Sequence, residues 1–154
     1  LAGIQRWSDA GLLHELPTDG VGILDVGTGS GILLAAALQL GASHGCGVDT
    51  DPLAVEAAQR NLAQNGLAAR SEVVLGTLPF RAPAPLVVAN LVAALQIELA
   101  PLLAAAVAPG GRILASGIFV ERAAETVDAF TRVGLRLLGQ WEEGEWVALE
   151  WTHD

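Results

Sequence analysis

Leu24–Asp25–Val26–Gly27–Thr28–Gly29–Ser30–Gly31 joins two segments of opposite character. Before it, the run from Val21 to Val26 is short and apolar, with two valines and an isoleucine, the composition of a strand buried on both faces. After it, Ile32 to Leu40 is rich in Ala and Leu, which predicts a helix closed by a left-handed cap at Gly41. The glycines therefore fall where a strand must turn into a helix. A missing side chain permits positive φ and lets a ligand touch the backbone. A helix starting near Ser30 would aim N–H groups at the same spot. By itself such a loop can be no more than a tight turn, so its meaning depends on what surrounds it.

Downstream, His44 to Asp49 reads as a second strand, ending on an acid. Asp51 is a plausible N-cap and Pro52 suits the first helical position of a helix that runs to about Asn65 and stops at Gly66. Arg70 to Leu75 and Leu86 to Ala89 are the next strands, with Asn90 at the end of the second; Pro83 and Pro85 keep its approach irregular. A helix over Ala94 to Val107 leads through a Pro109–Gly110–Gly111 turn to a strand over Arg112 to Ser116. Glu121 to Val133 is expected to be helical, with Ala124, Val127 and Phe130 on one side. Leu135 to Trp141 and Trp146 to Trp151 alternate like strands, and only Glu142–Glu143–Gly144–Glu145 separates them. That is too short for a crossover helix, so they pair as an antiparallel hairpin. Upstream, Gly3 to Leu16 forms a helix with Ile4, Trp7, Leu12 and Leu13 on one stripe, broken by Pro17, Asp19 and Gly20. The expected fold is an α/β sandwich: a mostly parallel seven-stranded sheet, helices on both faces, and an antiparallel C-terminal hairpin strand.

Composition narrows the function classes. The 154 residues suit one domain, and 52% hydrophobic against 16% charged residues excludes disorder as the main state. The net charge is −9, and all eight cations are arginines. Such a chain does not seek a bare nucleic-acid backbone, but it suits basic partners. One cysteine allows no internal disulfide, which fits a reducing compartment and a cytoplasmic location. No run approaches the roughly 18 apolar residues of a membrane span, and no signal-peptide pattern is read at the start.

Asp49, at the end of the second strand, can accept hydrogen bonds from the two adjacent hydroxyls of a ribose. A helix-capping or solvent-facing Asp is the plainer account, and it fits Asp51. A dinucleotide fingerprint would place its third glycine at Ile32, whereas Gly31 comes one residue early. Asp25 lies close to where a pyrophosphate would sit; a carboxylate there repels phosphate and suits a cationic ligand. The ammonium and sulfonium of S-adenosylmethionine meet that requirement better than NAD does, although spacing variants keep NAD open. No Lys follows the glycines, which excludes a Walker A loop.

Ligands of open α/β sheets bind beyond the C-terminal strand ends. Gly27, Asp49, Gly76, Thr77 and Asn90 are expected on that rim. The candidate cofactor contacts are Asp25, Gly27, Thr28, Gly29, Gly31, Asp49, Thr50, Gly76, Thr77 and Asn90. Asn90 is also the candidate catalytic residue: its amide oxygen can accept from an amine and orient the nitrogen lone pair, and methyl transfer to an amine needs chiefly alignment. A turn residue with a local side-chain bond is the alternative.

Other chemistries fit poorly. His14, His44 and His153 are scattered, and Cys46 lies mid-strand between glycines, so no metal site is expected. Thr28 stands where a nucleophile elbow needs serine. Glu142, Glu143 and Glu145 read as a solvated turn that could meet a basic partner, and Trp141, Trp146 and Trp151 as packing of the hairpin.

These motifs resemble the catalytic domain of the ribosomal protein L11 methyltransferase family. The similar stretches are Ile23 to Gly31, Gly47–Val48–Asp49, Asp51 to Val55 with Asn61 and Asn65–Gly66, Val88–Ala89–Asn90–Leu91, Pro109–Gly110–Gly111, Ser116–Gly117–Ile118 and Glu143–Gly144–Glu145–Trp146. The first block and Asp49 are common to class I methyltransferases; the Asn90–Leu91, Ser116–Gly117–Ile118 and late Glu-Gly-Glu-Trp segments are more selective. The resemblance implies a Rossmann-like class I fold that binds S-adenosylmethionine and methylates lysine side chains or the N-terminal amine of ribosomal protein L11. It places the glycine-loop and acid positions on Gly27, Gly29 and Asp49, and the acceptor-site asparagine on Asn90. The family also carries an upstream substrate-recognition domain and a Phe-Gly-Thr-Gly segment. Residues 1–154 are expected to be the methyltransferase domain without them. A class I methyltransferase acting on another protein or small-molecule amine, and a non-catalytic nucleoside-binding domain, are the other functions these residues allow. Neither the modified amine nor the oligomeric state is encoded in the motifs.

Overall fold

The strand that leads into the glycine loop, β1 (Ile23–Val26), is buried at all four positions, as a strand covered on both faces must be. In the computed structural model, residues 1–17 and 19–154 are described. They form a seven-stranded mixed sheet with helices, and the chain divides into two compact units, Leu1–Thr77 and Leu78–Asp154.

In the first unit, β1, β2 (Gly45–Asp49) and β3 (Ser71–Leu75) are parallel in the order β3-β2-β1. Asp25 pairs in register with Gly47, and Asp49 with Leu75. The helices are α1 (Ala2–Asp9), α2 (Ile32–Gln39) and α3 (Pro52–Gln64). Asp51 caps α3 by accepting from the Leu53 N–H at 2.9 Å, with Pro52 next to it, as the sequence predicts. The first helix is shorter than expected. It ends at Asp9 because Gly11 takes φ +79°, and turns carry the chain onward while Leu13 and Leu16 stay buried. Trp7 is a core residue.

The second unit has the strand order β4-β5-β7-β6. β4 (Ala84–Asn90) runs parallel to β5 (Val107–Phe119), and β7 (Trp146–His153) runs antiparallel to both β5 and β6 (Leu135–Glu143). The expected turn at Pro109–Gly110–Gly111 lies within β5. Ala84 pairs with Val107 but Leu86 with Arg112, so the extra residues bulge out, with Gly110 at φ +74°. The C-terminal hairpin closes through Gly144–Glu145, with Gly144 at φ +61° in the first turn position. Glu142 and Glu143 therefore belong to β6 and not to the turn. The helices are α4 (Ala93–Ala106) and α5 (Ala123–Arg132). The buried stripe of α5 is Ala123, Thr126, Ala129 and Phe130; Ala124 is exposed, because a short 3₁₀ turn at Val120–Arg122 sets the phase of the helix.

Trp151 is fully buried, its ring 5.2 Å from that of Phe130. Trp146 stacks on Phe119 at 4.2 Å, and both are partly exposed. Among the described residues, no helix is long and apolar enough to cross a membrane.

Trp151→Ala is expected to destabilise the protein by about 3–5 kcal/mol, the range for emptying a buried aromatic site. Urea unfolding of the two forms measures it; a loss below about 1 kcal/mol would show that the core collapses around the gap.

Candidate functional site

The glycine loop is held from within by its own strand neighbours. Gly27 and Thr28 both donate their backbone N–H to the Val48 carbonyl, at 2.9 and 3.0 Å, and Gly31 donates to the Thr28 carbonyl at 2.8 Å. The Gly29 N–H donates to Asp49 Oδ2 at 2.9 Å, and the Asp51 N–H to Asp49 Oδ1 at 3.0 Å. Asn61 on α3 grips the loop from outside, donating to the Ser30 carbonyl at 2.9 Å. The turn is built on glycine: Gly27, Gly29 and Gly31 all have positive φ.

The four loop amides from Gly27, Thr28, Gly29 and Gly31 are thus spent inside the unit. The sequence suggests N–H groups free for a ligand at the helix start near Ser30; the four amides named here, from the loop that precedes that helix, are turned inward. A loop of this kind is a poor cradle for pyrophosphate, which needs such donors.

Beneath the loop, Asp25 is fully buried, and its Oδ2 accepts from the Thr28 hydroxyl at 2.8 Å. Thr28 lies over Gly47, where a Cβ would come within 2.7 Å of the hydroxyl oxygen, so glycine is the residue that lets loop and strand close together. Asp25 Oδ1 has no hydrogen-bond partner among the described residues. Burial pushes the Asp25 carboxyl up to about 6; the Thr28 hydroxyl and the Leu34 backbone N–H pull it down, and the charge of Asp49 adds to the rise.

Asp49 is half-buried at the end of β2, and Thr50 follows it, exposed. Each Asp49 oxygen accepts one backbone N–H, which leaves each a further lone pair for a hydroxyl. The local-cap and ligand-holding accounts of this residue are therefore compatible. Gly76 donates to the Asp49 carbonyl at 2.8 Å, and Thr77 follows, exposed. Asp25, Gly27, Thr28, Gly29, Gly31, Asp49, Thr50, Gly76 and Thr77 are all in the first unit. An orphaned carboxyl oxygen below a loop whose Gly27, Thr28, Gly29 and Gly31 amides are already used fits a cationic nucleoside such as S-adenosylmethionine better than a dinucleotide.

Asn90 ends β4 in the second unit and is exposed. Its Oδ1 accepts from the Ser116 hydroxyl at 3.2 Å. Gly117 has φ +79°, and a Cβ there would lie 2.7 Å from Asn90 Oδ1 and 3.0 Å from the Leu91 carbonyl oxygen. Those two oxygens close on one point, which only glycine leaves open. Behind them is Gln96, fully buried on α4, whose Nε2 donates to the Leu91 and Ser116 carbonyls, at 2.6 Å each. Its Oε1 has no partner among the described residues, which costs on the order of 1–3 kcal/mol for a buried polar atom. The sequence reading passed over Gln96. Its signal is a single amide on the inward side of an Ala/Leu-rich helix, in the first turn of α4.

Cys46 is buried in β2, and among the described residues no group of three or more His, Cys, Asp or Glu is placed to hold a metal ion.

The fold matches known proteins. A ribosomal protein L11 methylase from Lactobacillus delbrueckii subsp. bulgaricus superposes over 100% of this chain and 80% of its own, with TM-score 0.84 and 25% identity. An RNA methyltransferase from Salinibacter ruber, solved with S-adenosyl-L-homocysteine, shares the fold over 98% of this chain and 90% of its own, with TM-score 0.72 and 19% identity. The fold is the Rossmann-like one of class I methyltransferases. The family model for ribosomal protein L11 methyltransferase (PrmA) matches residues 11–154, and the chain belongs to that family. The ribosomal protein L11 methyltransferase of Pelotomaculum thermopropionicum is 45% identical over 140 residues, covering 90% of this chain and 46% of the relative. That of Symbiobacterium thermophilum is 43% identical over 146 residues, 94% of this chain and 46% of the relative. The chain thus spans about half the length of the curated relatives it matches.

The raised Asp25 carboxyl sets a pH dependence. Because the folded state holds the proton more tightly than the unfolded chain, the stabilisation is complete below about pH 4. It is lost as pH rises through about 6, by roughly 3 kcal/mol in all. Asp25→Asn removes the titration. Wild type should therefore lose stability relative to Asp25→Asn between about pH 4 and 7, measured by urea unfolding across that range. Parallel curves would place the Asp25 carboxyl at its ordinary value.

Proposed function

We propose that this chain binds S-adenosylmethionine and transfers its methyl group to amino groups, on lysine side chains or the N-terminus, of ribosomal protein L11. The observation that carries this reading is the Asp49-locked loop with its spent amides and buried Asp25, in a chain whose family is that of L11 methyltransferases. Residues 1–154 are read as the cofactor-binding and catalytic domain of a cytoplasmic enzyme. The net charge of −9 suits a basic protein substrate and disfavours direct contact with RNA.

In this reading Asp49 holds the ribose hydroxyls, and the glycines from Gly27 to Gly31 let the ligand lie against the backbone. Thr50, Gly76 and Thr77 border the nucleoside, and the Asp25 carboxylate below the loop favours its positive charge. S-adenosylmethionine supplies an electrophilic methyl group on a sulfonium, whose departure leaves a neutral thioether. Asn90 accepts a hydrogen bond from the acceptor amine. The amine must arrive without its extra proton, so that its lone pair forms the N–C bond as the C–S pair withdraws to sulfur. The proton displaced from the new ammonium goes to solvent. The protein's contribution is alignment and exclusion of competing poses, with no covalent enzyme intermediate.

Two measurements test this. Titration calorimetry should show S-adenosylmethionine or S-adenosylhomocysteine binding more tightly than NAD. Asp49→Ala should weaken binding at least about tenfold, since it removes the ribose acceptor and releases the Gly29 and Asp51 amides together. Labelled methyl should appear in purified L11 and not in ribosomal RNA, and Asn90→Ala should lower turnover more than cofactor affinity. Label in RNA with unlabelled protein would end the proposal; full turnover by Asn90→Ala would remove only Asn90 from the reaction.

A further inference from the structure

We infer that Gln96 is a positioning residue for the acceptor amine, holding the Leu91 carbonyl and the end of β5 so that Asn90 Oδ1 and Leu91 O meet the same nitrogen. This rests on the amine methyltransferase reading above and adds to it the residue that shapes the acceptor site.

The argument begins with what Gln96 touches. Both of its partners are backbone carbonyls, which can only accept, so the carboxamide nitrogen must face them. One nitrogen carries two protons, and both are used. The Ser116 carbonyl accepts twice, from Gln96 Nε2 at 2.6 Å and from the Leu91 N–H at 3.1 Å. Gln96 therefore ties the residue after Asn90 to the residue before Gly117.

The tie lies where the chain is least regular. Gly117 has left-handed φ, the β5–β7 register shifts between Ala115 and Ile118, and β4 ends at Asn90. One sheet bond, from the Leu91 N–H to the Ser116 carbonyl, joins the two strand ends, and β4 and β5 stay in register as far as Asn90 and Ser116. A fully buried side chain from α4 adds a bond to each of the Leu91 and Ser116 carbonyls, while its own Oε1 has no partner among the described residues. An apolar residue would fill an Ala/Leu-rich helix face without leaving a buried oxygen unmatched. Its retention is accounted for by the two carbonyls it orients.

The consequence is chemical. A primary amine has two N–H groups beside its lone pair. Two fixed oxygens can accept both, which directs the lone pair along one line. Asn90 Oδ1 supplies one oxygen, steadied by the Ser116 hydroxyl. Leu91 O supplies the other, and Gln96 occupies one of its lone pairs and leaves the second for substrate. Loss of Gln96 frees the Leu91 carbonyl to rotate, and the loss falls on the reacting geometry and not on cofactor binding.

The test compares Gln96→Leu and Gln96→Glu with wild type in methylation of purified L11, well below the melting temperature. For Gln96→Leu, kcat should fall about tenfold or more while the S-adenosylhomocysteine dissociation constant stays within about twofold. Gln96→Met serves in its place if that variant does not fold. A glutamic acid at this position donates one proton when neutral and none when ionised. The ratio of Gln96→Glu turnover to wild-type turnover should therefore rise as pH falls while its S-adenosylhomocysteine dissociation constant stays level, whereas a merely structural role moves the two together. Turnover of Gln96→Leu within about twofold of wild type overturns the inference. Should wild type itself fail to methylate L11, the reading of function falls, and side-chain amide NMR still decides the role of Gln96. The Asn90 resonances should move in Gln96→Leu and in Gln96→Met; unmoved resonances overturn it.

Discussion

The carboxylate of Asp49 is the point on which the first unit's site depends. One oxygen receives the Gly29 amide and the other the Asp51 amide, so a single side chain joins the glycine loop to the end of β2 and the start of α3. Without it, three alternate positive-φ glycines, Gly27, Gly29 and Gly31, would face their conformational entropy with only Val48 O, Thr28 O and Asn61 to restrain them. These bonds use the Gly27, Thr28, Gly29 and Gly31 amides within the unit, and that bears directly on ligand class. An acid that shapes the loop and keeps a further lone pair on each oxygen ties the local fold and the proposed binding chemistry to one group.

Asp25 repeats this economy one layer down. Its partner Thr28 occupies the space that Gly47 leaves empty, and the carboxyl is held away from water beneath the loop. An ionised group in such a place is tolerated only at a cost in stability, and its raised protonation range expresses that cost. Functional sites commonly hold strain of this kind because the arrangement that binds best is not the one that folds best.

In the second unit the ordering principle is backbone carbonyls held in place by a buried amide. Asn90, Leu91, Ser116 and Gln96 form one hydrogen-bonded group at the ends of β4 and β5, and Gly117 leaves room beside it. The rest of this unit is a well-buttressed sheet, with Trp151 against Phe130 and the Arg112–Glu150 ion pair at 2.8 Å. A rigid frame around a precise group of acceptors is what an alignment-driven reaction requires.

Much of this was legible in the residues themselves. Apolar runs, the glycine loop, Asp51–Pro52 and the short link before Trp146 determine the alternation of strands and helices and the closing hairpin, because period, capping and loop length act locally. Gly27 to Gly31 and Asp49 stand out in the sequence as a candidate site because a strand, turn, helix and terminal acid occur in order, and the structure joins them through the Gly29–Asp49 bond. Local rules failed where distant segments arbitrate. The stripe of α5 shifted to Ala123 and Thr126 because the preceding 3₁₀ turn sets its phase. The Pro109–Gly110–Gly111 turn became a bulge because β4 pairs on either side of it. That the loop amides are spent, that Asp25 is sealed under Thr28, and that Gln96 reaches Leu91 and Ser116 were decided only by tertiary structure. Each depends on a hydrogen bond between groups that the sequence does not place side by side, and direction and burial, unlike periodicity, exist only once the chain has closed on itself.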